Sequence, residues 1–283
     1  VFYSALPLVK KRYPDADTSN DKFMTEQILS VAREVQDFIN KGYDFFASKF
    51  LNMKGEHRFD IKQECIAKSA FWVTKKRYGQ WIINDGGLTC DKLDVKGLDI
   101  VRSNFPPAMR DVMSEVLKDI LSNVDKEVID SKIVRFKKDM KKMPIQDIAL
   151  PTGVKGLKKY SDRRKTGKFN SKGIFTTTVK STPVHVKASI KYNDLLKHFN
   201  LNNIEPIRES SKIKWTYLKN NPLGISELAF KGYDDPNEIL EIINQYIDYD
   251  KLFEGAMDKK IKMFYGALDW ELVDKERTIE RFF

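Results

Sequence analysis

The residues best suited to chemistry in this sequence are three consecutive cations and an aromatic ring, Lys75-Lys76-Arg77-Tyr78. Apolar and polar residues alternate on both sides of this run, a pattern that predicts β-strands. Downstream, Asp85-Gly86-Gly87 predicts a tight hairpin turn, because glycine adopts the positive φ angles that such turns require. Cations on a rigid hairpin can bind a polyanion, so we predict a phosphate-binding surface here.

No arrangement of side chains in the sequence predicts a catalytic site by itself. His57, His185 and His198 are scattered without the spacing of metal ligands, and we expect structural or surface roles for them. The sequence has neither a glycine-rich phosphate loop nor a compact pair of carboxylates on a recognisable turn. The side chains themselves therefore favour binding over chemistry.

The charge balance indicates the kind of partner. The 283 residues carry a formal net charge of +10 and a pI of about 9.3, which favours an anionic partner: nucleic acid before a membrane surface. The only two cysteines, Cys65 and Cys90, do not suggest a disulfide framework, and we expect a reducing compartment. No apolar run reaches membrane-spanning length and no signal-peptide pattern is present.

Residue periodicity predicts the elements that must position the cationic run. We expect an α+β fold, and a long helix whose apolar residues recur every three or four positions and pack in the core. The predicted elements are a strand over 1–9, the long helix over 21–50, a β block over 58–93, helices over 106–123 (N-cap Ser103-Asn104) and 126–143, strands over 183–190 and 212–218, a helix over 236–246 (N-cap Asp234-Asp235) and one or two helices within 250–268.

A lysine-rich stretch runs from 131 to 180 with few acidic residues and several glycines. Two interpretations stay open. The stretch is either a loose charged loop or an arm that tracks phosphates and orders on DNA.

A set of motifs resembles the end of the palm and the thumb of family B DNA polymerases, in the family's order and over essentially the whole chain. Glu64 stands eleven residues before Lys75 and the KKRY run. The later motifs are Lys96-Gly97-Leu98 with Arg102, Pro151-Thr152-Gly153-Val154-Lys155-Gly156-Leu157 with Lys159-Tyr160, and Thr182-Pro183-Val184-His185-Val186-Lys187 with Tyr192-Asn193; Tyr217-Leu218-Lys219, Asn221-Pro222 and Ile247-Asp248-Tyr249 complete the set.

The resemblance implies a remainder of the palm over 1–100, with a β-hairpin and a long helix, followed by a mainly helical thumb with small β elements over 101–283. It implies that Lys76 probes the minor groove at the primer end and that Tyr78 supports the primer backbone. Glu64 would be an accessory carboxylate near the metal site. The other implied DNA-binding residues are Lys75, Arg77, Lys96, Arg102, Lys155, Lys158, Lys159, Tyr160 and Lys187.

The tail resembles the peptide by which T-even-type phage polymerases bind their sliding clamp, which implies clamp contacts by Ile279, Phe282 and Phe283. For this tail, packing against its own domain stays an alternative. The corresponding expectations are a phage replicative enzyme in the host cytoplasm, with primer–template DNA and a clamp as partners and no membrane partner.

The family's metal-binding aspartates lie in a motif with SLYP and in DTDS, and neither motif is present in this sequence. The opening VFYSA resembles the strand that follows DTDS. We therefore expect a polymerase divided at its active site. An N-terminal fragment with the exonuclease, fingers and rest of the palm would hold most of the Mg²⁺ ligands, this chain would hold none alone, and it would be inactive without its partner.

One departure and one alternative qualify this expectation. T-even members have an aspartate two residues before the position of Glu64, where this chain has Lys62, which weakens an ion-binding role for this strand. The alternative function is a non-enzymatic protein of polymerase-thumb ancestry that binds nucleic acid without sequence preference.

Overall fold

The computed structural model describes residues 2–162 and 181–271 and confirms the α+β fold. The chain divides into two compact units, the first ending at Lys96 and the second beginning at Gly97. The assignment of 1–100 to a palm and 101–283 to a thumb stays a prediction. None of the helices in the described part of the chain is long and apolar enough to cross a membrane.

The first unit begins with a helix, α1 (Leu6–Arg12), so the strand predicted over 1–9 is wrong. Pro7 lies in the first turn, where its missing N–H costs no hydrogen bond and its fixed φ suits a helix. Ala5 and Val9 are buried while Pro7 between them is exposed, as expected for one face of a helix, whereas in a strand all three would share one side.

The long helix, α2 (Asp21–Lys49), is confirmed almost to the residue. Its N-cap is Asn20, whose side-chain oxygen accepts the Phe23 N–H at 3.0 Å and so satisfies one of the free donors of the first turn. Its N-terminal half packs against α1 through a small core that includes Val9, Met24 and Val31.

The prediction that the whole apolar stripe of α2 lies in the core is wrong for its second half. Phe38 is 79% exposed and Phe50 70% exposed, and Phe46 is also exposed. The spacing of the residues was sufficient to predict a helix, but what covers its apolar side depends on other elements. No described residue buries these three rings.

A three-stranded antiparallel sheet completes the first unit, with strands β1 (Cys65–Thr74), β2 (Arg77–Asp85) and β3 (Leu88–Lys96) in that order. Gly86 and Gly87 connect β2 to β3 with φ of +58° and +90°, which confirms the predicted hairpin turn. Cys65 and Cys90 are free thiols in this sheet.

The second unit opens with a 3₁₀ turn over Asp99–Val101 and with α3 (Pro107–Leu121). The predicted N-cap Ser103-Asn104 is wrong: the helix begins after Pro106, with Pro107 as its first residue. Proline is favoured there because the first helical N–H has no partner within the helix.

The lysine-rich stretch is ordered structure over 131–162, so both an arm and a loose loop are wrong for that part. It forms most of α4 (Lys126–Asp139), a 3₁₀ turn (Met140–Lys142), α5 (Ile145–Ile148), β4 (Leu150–Gly153) and α6 (Leu157–Asp162). Acidic residues distant in sequence pair with its cations: Lys132 contacts Asp119, and Lys137 contacts Asp250 at 2.8 Å. Residues 163–180 and the tail with Ile279, Phe282 and Phe283 lie outside the described residues.

The strand predicted over 183–190 is wrong, because this segment begins a helix, α7 (Val184–His198). Its first residues alternate apolar and polar, which misled the prediction. Residues 188–192 are all buried, so this helix is surrounded on every side and its sequence lacks the alternation of buried and exposed faces that marks a surface helix.

The other predicted strand is confirmed as β5 (Lys212–Tyr217), which pairs with β4 and with β6 (Glu227–Phe230) in a second antiparallel sheet.

The chain then forms α8 (Asn237–Tyr246), α9 (Tyr249–Phe253), a π turn (Glu254–Asp258) and α10 (Lys259–Ala267), as predicted in outline. Asp234-Asp235 is not the cap of α8, which begins after Pro236. The Asp235 carboxylate instead accepts the N–H groups of Lys231 and Gly232, at 2.8 and 2.6 Å, and closes the preceding turn.

A buried ion pair lies inside the second unit. The Lys191 ammonium of α7 contacts the Glu227 carboxylate of β6 at 2.6 Å, with the two side chains 8% and 10% exposed. The Ser226 hydroxyl donates to the other oxygen of Glu227 at 2.6 Å. The pair therefore joins α7 to the sheet at a point where neither charge has water as a substitute partner.

We predict that Lys191→Met lowers the free energy of unfolding by about 3–5 kcal/mol, because it leaves the Glu227 carboxylate buried without a counter-charge. The double variant Lys191→Met/Glu227→Leu should recover most of that loss, since it removes both charges. Urea unfolding of the three proteins measures the difference. Equal stabilities of the wild type and Lys191→Met would contradict the role assigned to the pair.

Candidate nucleic-acid interface

The predicted cationic run forms the tip of the β1–β2 hairpin. Thr74 pairs with Arg77 across the strands, so Lys75 and Lys76 are the two residues of the loop. Lys76 has φ of +64°, a left-handed conformation that asparagine and glycine adopt more readily than lysine. Both lysines are exposed, and neither has an ion pair with another described residue.

The next residue along β2, Tyr78, lies in a row of side chains across the sheet. It pairs with Trp72 on β1 and with Lys96 on β3. The rings of Tyr78 and Trp72 are 4.8 Å apart, and Phe2 contacts both, at 4.4 Å from Trp72 and 5.4 Å from Tyr78. Tyr78 is thus held by an aromatic cluster next to the tip.

Lys96 differs from the tip lysines because it has a carboxylate partner. Its ammonium contacts Asp94 at 3.0 Å, and Asp94 also accepts the Gln80 amide at 3.2 Å. The hydrogen bond to Asp94 raises the pKa of Lys96, so the side chain stays cationic. A phosphate at Lys96 would compete with Asp94 for the same ammonium.

Glu64 lies outside the strand that was expected to carry it, since β1 begins at Cys65. Its side chain is exposed, and its carbonyl accepts the Gly86 N–H of the β2–β3 turn at 2.8 Å. Across residues 2–162 and 181–271, no group of three acidic, histidine or cysteine side chains is arranged to hold a metal ion. The described residues therefore do not form a Mg²⁺ site by themselves. Lys62 pairs with Asp60 at 3.3 Å.

A second cationic region lies on the loop between β4 and α6 and on the first turn of α6. Lys155 of the loop and Lys158 and Lys159 of α6 are exposed, and Tyr160 packs against the core of the second unit. Gly156 has φ of +80°, which allows the sharp entry into α6. Backbone hydrogen bonds of Val154 with Ser210 and Ser211, both 2.9 Å, hold the loop to the segment before β5.

Glu209 fixes the end of that loop. Its carboxylate accepts the N–H groups of Gly156 at 2.5 Å and Leu157 at 2.7 Å. These hydrogen bonds, that of Gly156 above all, lower the pKa of Glu209 below its ordinary value although partial desolvation opposes them. The Glu209 carboxylate thus holds the backbone that carries the three lysines. It also places one negative charge beside them, which reduces the net positive charge of this region.

The remaining predicted cations are placed by other elements. Arg102 follows the 3₁₀ turn and contacts Asp99 at 3.1 Å. Lys187 is half-buried on α7. The structure therefore brings Lys75, Lys76, Arg77, Tyr78 and Lys96 onto one sheet, and Lys155, Lys158, Lys159 and Tyr160 onto the loop before α6 and its first turn. No hydrogen bond or ion pair between described residues links Arg102 or Lys187 to either group.

Sequence analysis missed several residues that support these groups. Trp72 had no such signal, because counting outward from the two-residue loop places Val73 opposite Tyr78, and a bulge between Trp72 and Thr74 brings Trp72 there instead. Asp94 could have been found, because it lies two residues before Lys96 and therefore on the same face of β3. Glu209 had no signal in the sequence, since more than fifty residues separate it from the loop that it holds.

A family model described as DNA polymerase family B matches residues 23–258, which include every described candidate residue of both groups. A search of curated proteins found no match.

We predict that Glu209→Ala accelerates hydrogen exchange of the Gly156 and Leu157 amides, because it removes their common acceptor. Glu205→Ala is the matched control, since the Glu205 carboxylate contacts the exposed Arg208 at 3.4 Å and has no other ion pair among the described residues. Because the pKa of Glu209 is lowered in the folded state, its contribution is complete above the unfolded pKa. That contribution disappears as the pH falls through the folded pKa. Wild-type exchange corrected for intrinsic rates should therefore rise in acid, and a flat profile would contradict this role.

Proposed function

This chain belongs to DNA polymerase family B, and from that premise we propose that it grips the primer–template duplex during DNA synthesis. The family carries out DNA-directed nucleotidyl transfer and generally uses Mg²⁺. The observation that best supports a grip by this chain is the hairpin tip. Two exposed lysines without a described carboxylate partner stand next to a tyrosine braced by Trp72 and Phe2.

The chemistry of a replicative enzyme explains why such a tip is useful. A polymerase has to hold any correctly paired primer end and so cannot depend on base identity. Acceptors in the minor groove occupy similar positions in every Watson–Crick pair, so a lysine donor there senses pair geometry without choosing a sequence. We assign this role to Lys76, support of the primer backbone to Tyr78, and phosphate contacts to Lys75, Arg77 and Lys96.

The second unit would contribute a second set of phosphate contacts. Lys155, Lys158 and Lys159 lie on the loop before α6 and on its first turn, which are held by backbone hydrogen bonds and by Glu209, so their spacing is set before DNA arrives. Each phosphate contact adds about one released counterion and no sequence preference. Arg102, Tyr160 and Lys187 are assigned to DNA contacts on the resemblance of their motifs.

We further propose that a partner chain supplies the metal-binding aspartates. Transfer of a nucleotidyl group by two metal ions requires carboxylates that clamp both ions. The DTDS and SLYP motifs that carry them in this family do not occur in the sequence, and the described residues do not build a substitute. Mg²⁺, when held by the partner, would polarise the phosphates of the incoming nucleotide. Glu64 is exposed close by the sheet and is assigned an accessory part at most.

Two finer assignments rest on the resemblance of motifs alone. We propose a replicative enzyme of the T-even phage type, acting in the host cytoplasm. We also propose that the tail binds a sliding clamp through Ile279, Phe282 and Phe283.

Reconstitution tests the division of labour. We expect no primer extension by this chain alone with Mg²⁺, and extension once the polypeptide from the same source that carries the DTDS and SLYP motifs is added. Extension by the chain alone would overturn the proposal. DNA binding without extension in the complete mixture would favour the alternative, a non-enzymatic nucleic-acid-binding protein.

Lys76→Asn separates grip from folding. Asparagine tolerates the left-handed backbone at this position, so the free energy of unfolding should stay the same or rise by up to about 1 kcal/mol. Binding of a primer–template should weaken by roughly tenfold to a hundredfold, since a hydrogen bond from a charged donor contributes about 1.5–3 kcal/mol. Fluorescence anisotropy with several primer ends measures both affinity and sequence preference.

Lys92→Asn provides the control on the same sheet, because the Lys92 ammonium already lies 3.7 Å from Asp85. We expect it to bind within about twofold of wild type, since a surface pair of this kind contributes little. A preference for A·T or G·C ends in Lys76→Asn, absent from the wild type, would contradict a minor-groove contact that ignores sequence.

A further inference from the structure

The first unit exposes far more apolar surface than the second. Of the large hydrophobic side chains that are exposed among the described residues, 14 lie before Gly97 and 3 after it. A unit that buries its own core needs no such surface. The imbalance indicates that no described element covers this surface of the first unit.

The largest part of this surface lies on the second half of α2. Phe38, Phe45, Phe46 and Phe50 are all exposed, and we call these four side chains the α2 aromatic face. Phe46 and Phe50 are stacked with ring centroids 5.5 Å apart, and Phe45 lies 6.2 Å from Phe50. The rings thus form one patch and are not scattered singly.

The α2 aromatic face continues an apolar stripe that is covered in the first half of the helix. At about 100° per residue, its positions fall on the same side of α2 as Met24, Val31 and Val35. Those residues pack against α1, which ends at Arg12 and covers only the first half of the helix. The second half therefore presents the same apolar side without its cover.

Gly42 provides an independent observation. It lies among the four phenylalanines on a 29-residue helix, where glycine lowers helix stability relative to alanine. A Cβ atom built there would meet no atom of the described residues within 4 Å, so their packing does not require glycine. The missing side chain leaves open space within the α2 aromatic face, a notch that can admit a side chain from another molecule.

The area and the charges indicate the kind of occupant. From the exposed fractions, the four rings and Leu51 present roughly 600 Å² of apolar surface, since an aromatic side chain can bury about 150–250 Å². A stable interface uses roughly 800 Å² per partner. Lys41 and Lys49 stand at the edge of the patch, exposed and without an ion pair to any described residue.

We propose that the α2 aromatic face docks the polypeptide that supplies the metal-binding aspartates. This inference rests on the proposed function, because that polypeptide is the partner which the function requires. The complementary surface is an apolar ridge with one aliphatic side chain seated in the notch at Gly42 and with carboxylates facing Lys41 and Lys49. Docking would complete the core of the first unit, and the two chains would form one folded body there.

Three variants of the full chain test this surface. Phe38→Ser/Phe50→Ser removes two exposed rings, Gly42→Leu fills the notch, and Leu88→Ser is the control, because Leu88 is 76% exposed on the sheet of the same unit. The probe is the purified polypeptide that carries the DTDS and SLYP motifs. Its affinity is measured by titration calorimetry, and thermal unfolding of each chain alone checks its folding.

We expect the double variant to bind the probe at least 100-fold more weakly, Gly42→Leu at least tenfold more weakly, and Leu88→Ser within twofold of wild type. None of the three should unfold at a lower temperature than wild type by itself, since all the altered positions are exposed. Primer extension at saturating probe should return in every variant, because docking and DNA grip use different residues.

The outcomes separate this inference from the function on which it rests. If the wild type binds the probe and restores extension while the variants bind equally well, the docking surface is wrong and the proposed function stands. Absence of both binding and extension overturns the two together. Sedimentation that shows the wild type as a dimer, converted to monomer by Phe38→Ser/Phe50→Ser, would assign the surface to a second copy of the chain and overturn the inference.

Discussion

The register of the first sheet is the constraint on which the candidate interface depends. Pairing of Thr74 with Arg77 leaves only two residues for the turn, so Lys75 and Lys76 must occupy it even though lysine suits a left-handed backbone poorly. A bulge between Trp72 and Thr74 then shifts the pairing by one residue, so that Tyr78 lies between Trp72 and Lys96. Because side chains alternate strictly along a strand, a shift of one residue would turn Tyr78 to the opposite face and separate it from its aromatic support.

The cations of this chain fall into two physical classes. Those of α4 pair with acidic residues of the same helix, as Lys126 does with Asp130, or of other elements, as Lys132 does with Asp119 and Lys137 with Asp250. The lysines of the hairpin tip, of the loop before α6 and of the first turn of α6 have no such partner among the described residues. A polyanion that meets the second class displaces only water and small ions, whereas at the first class it would have to break an ion pair.

The two units also differ in how completely they bury their own apolar residues. The second unit surrounds α7 with two sheet strands, loops and α8, and it buries the Lys191–Glu227 ion pair. The first unit has a small core between α1 and α2, and no described residue covers the α2 aromatic face. This difference is the basis for the proposal that the first unit completes its core with a second polypeptide.

The sequence by itself determined the elements with strong local signals. It predicted the length of α2, the turn at Gly86 and Gly87, the sites of β5 and α8 and the position of the cationic run, because periodicity and turn chemistry are encoded within a few residues. It could not determine that α7 is a helix, since burial on every side removes the pattern that distinguishes a helix from a strand. Only the tertiary structure decided that Phe38 and Phe50 are uncovered, that Glu209 holds the loop at Gly156, and that the lysines of α4 are paired. Each of these depends on residues far apart in the chain, whose proximity is fixed by packing and not by local sequence.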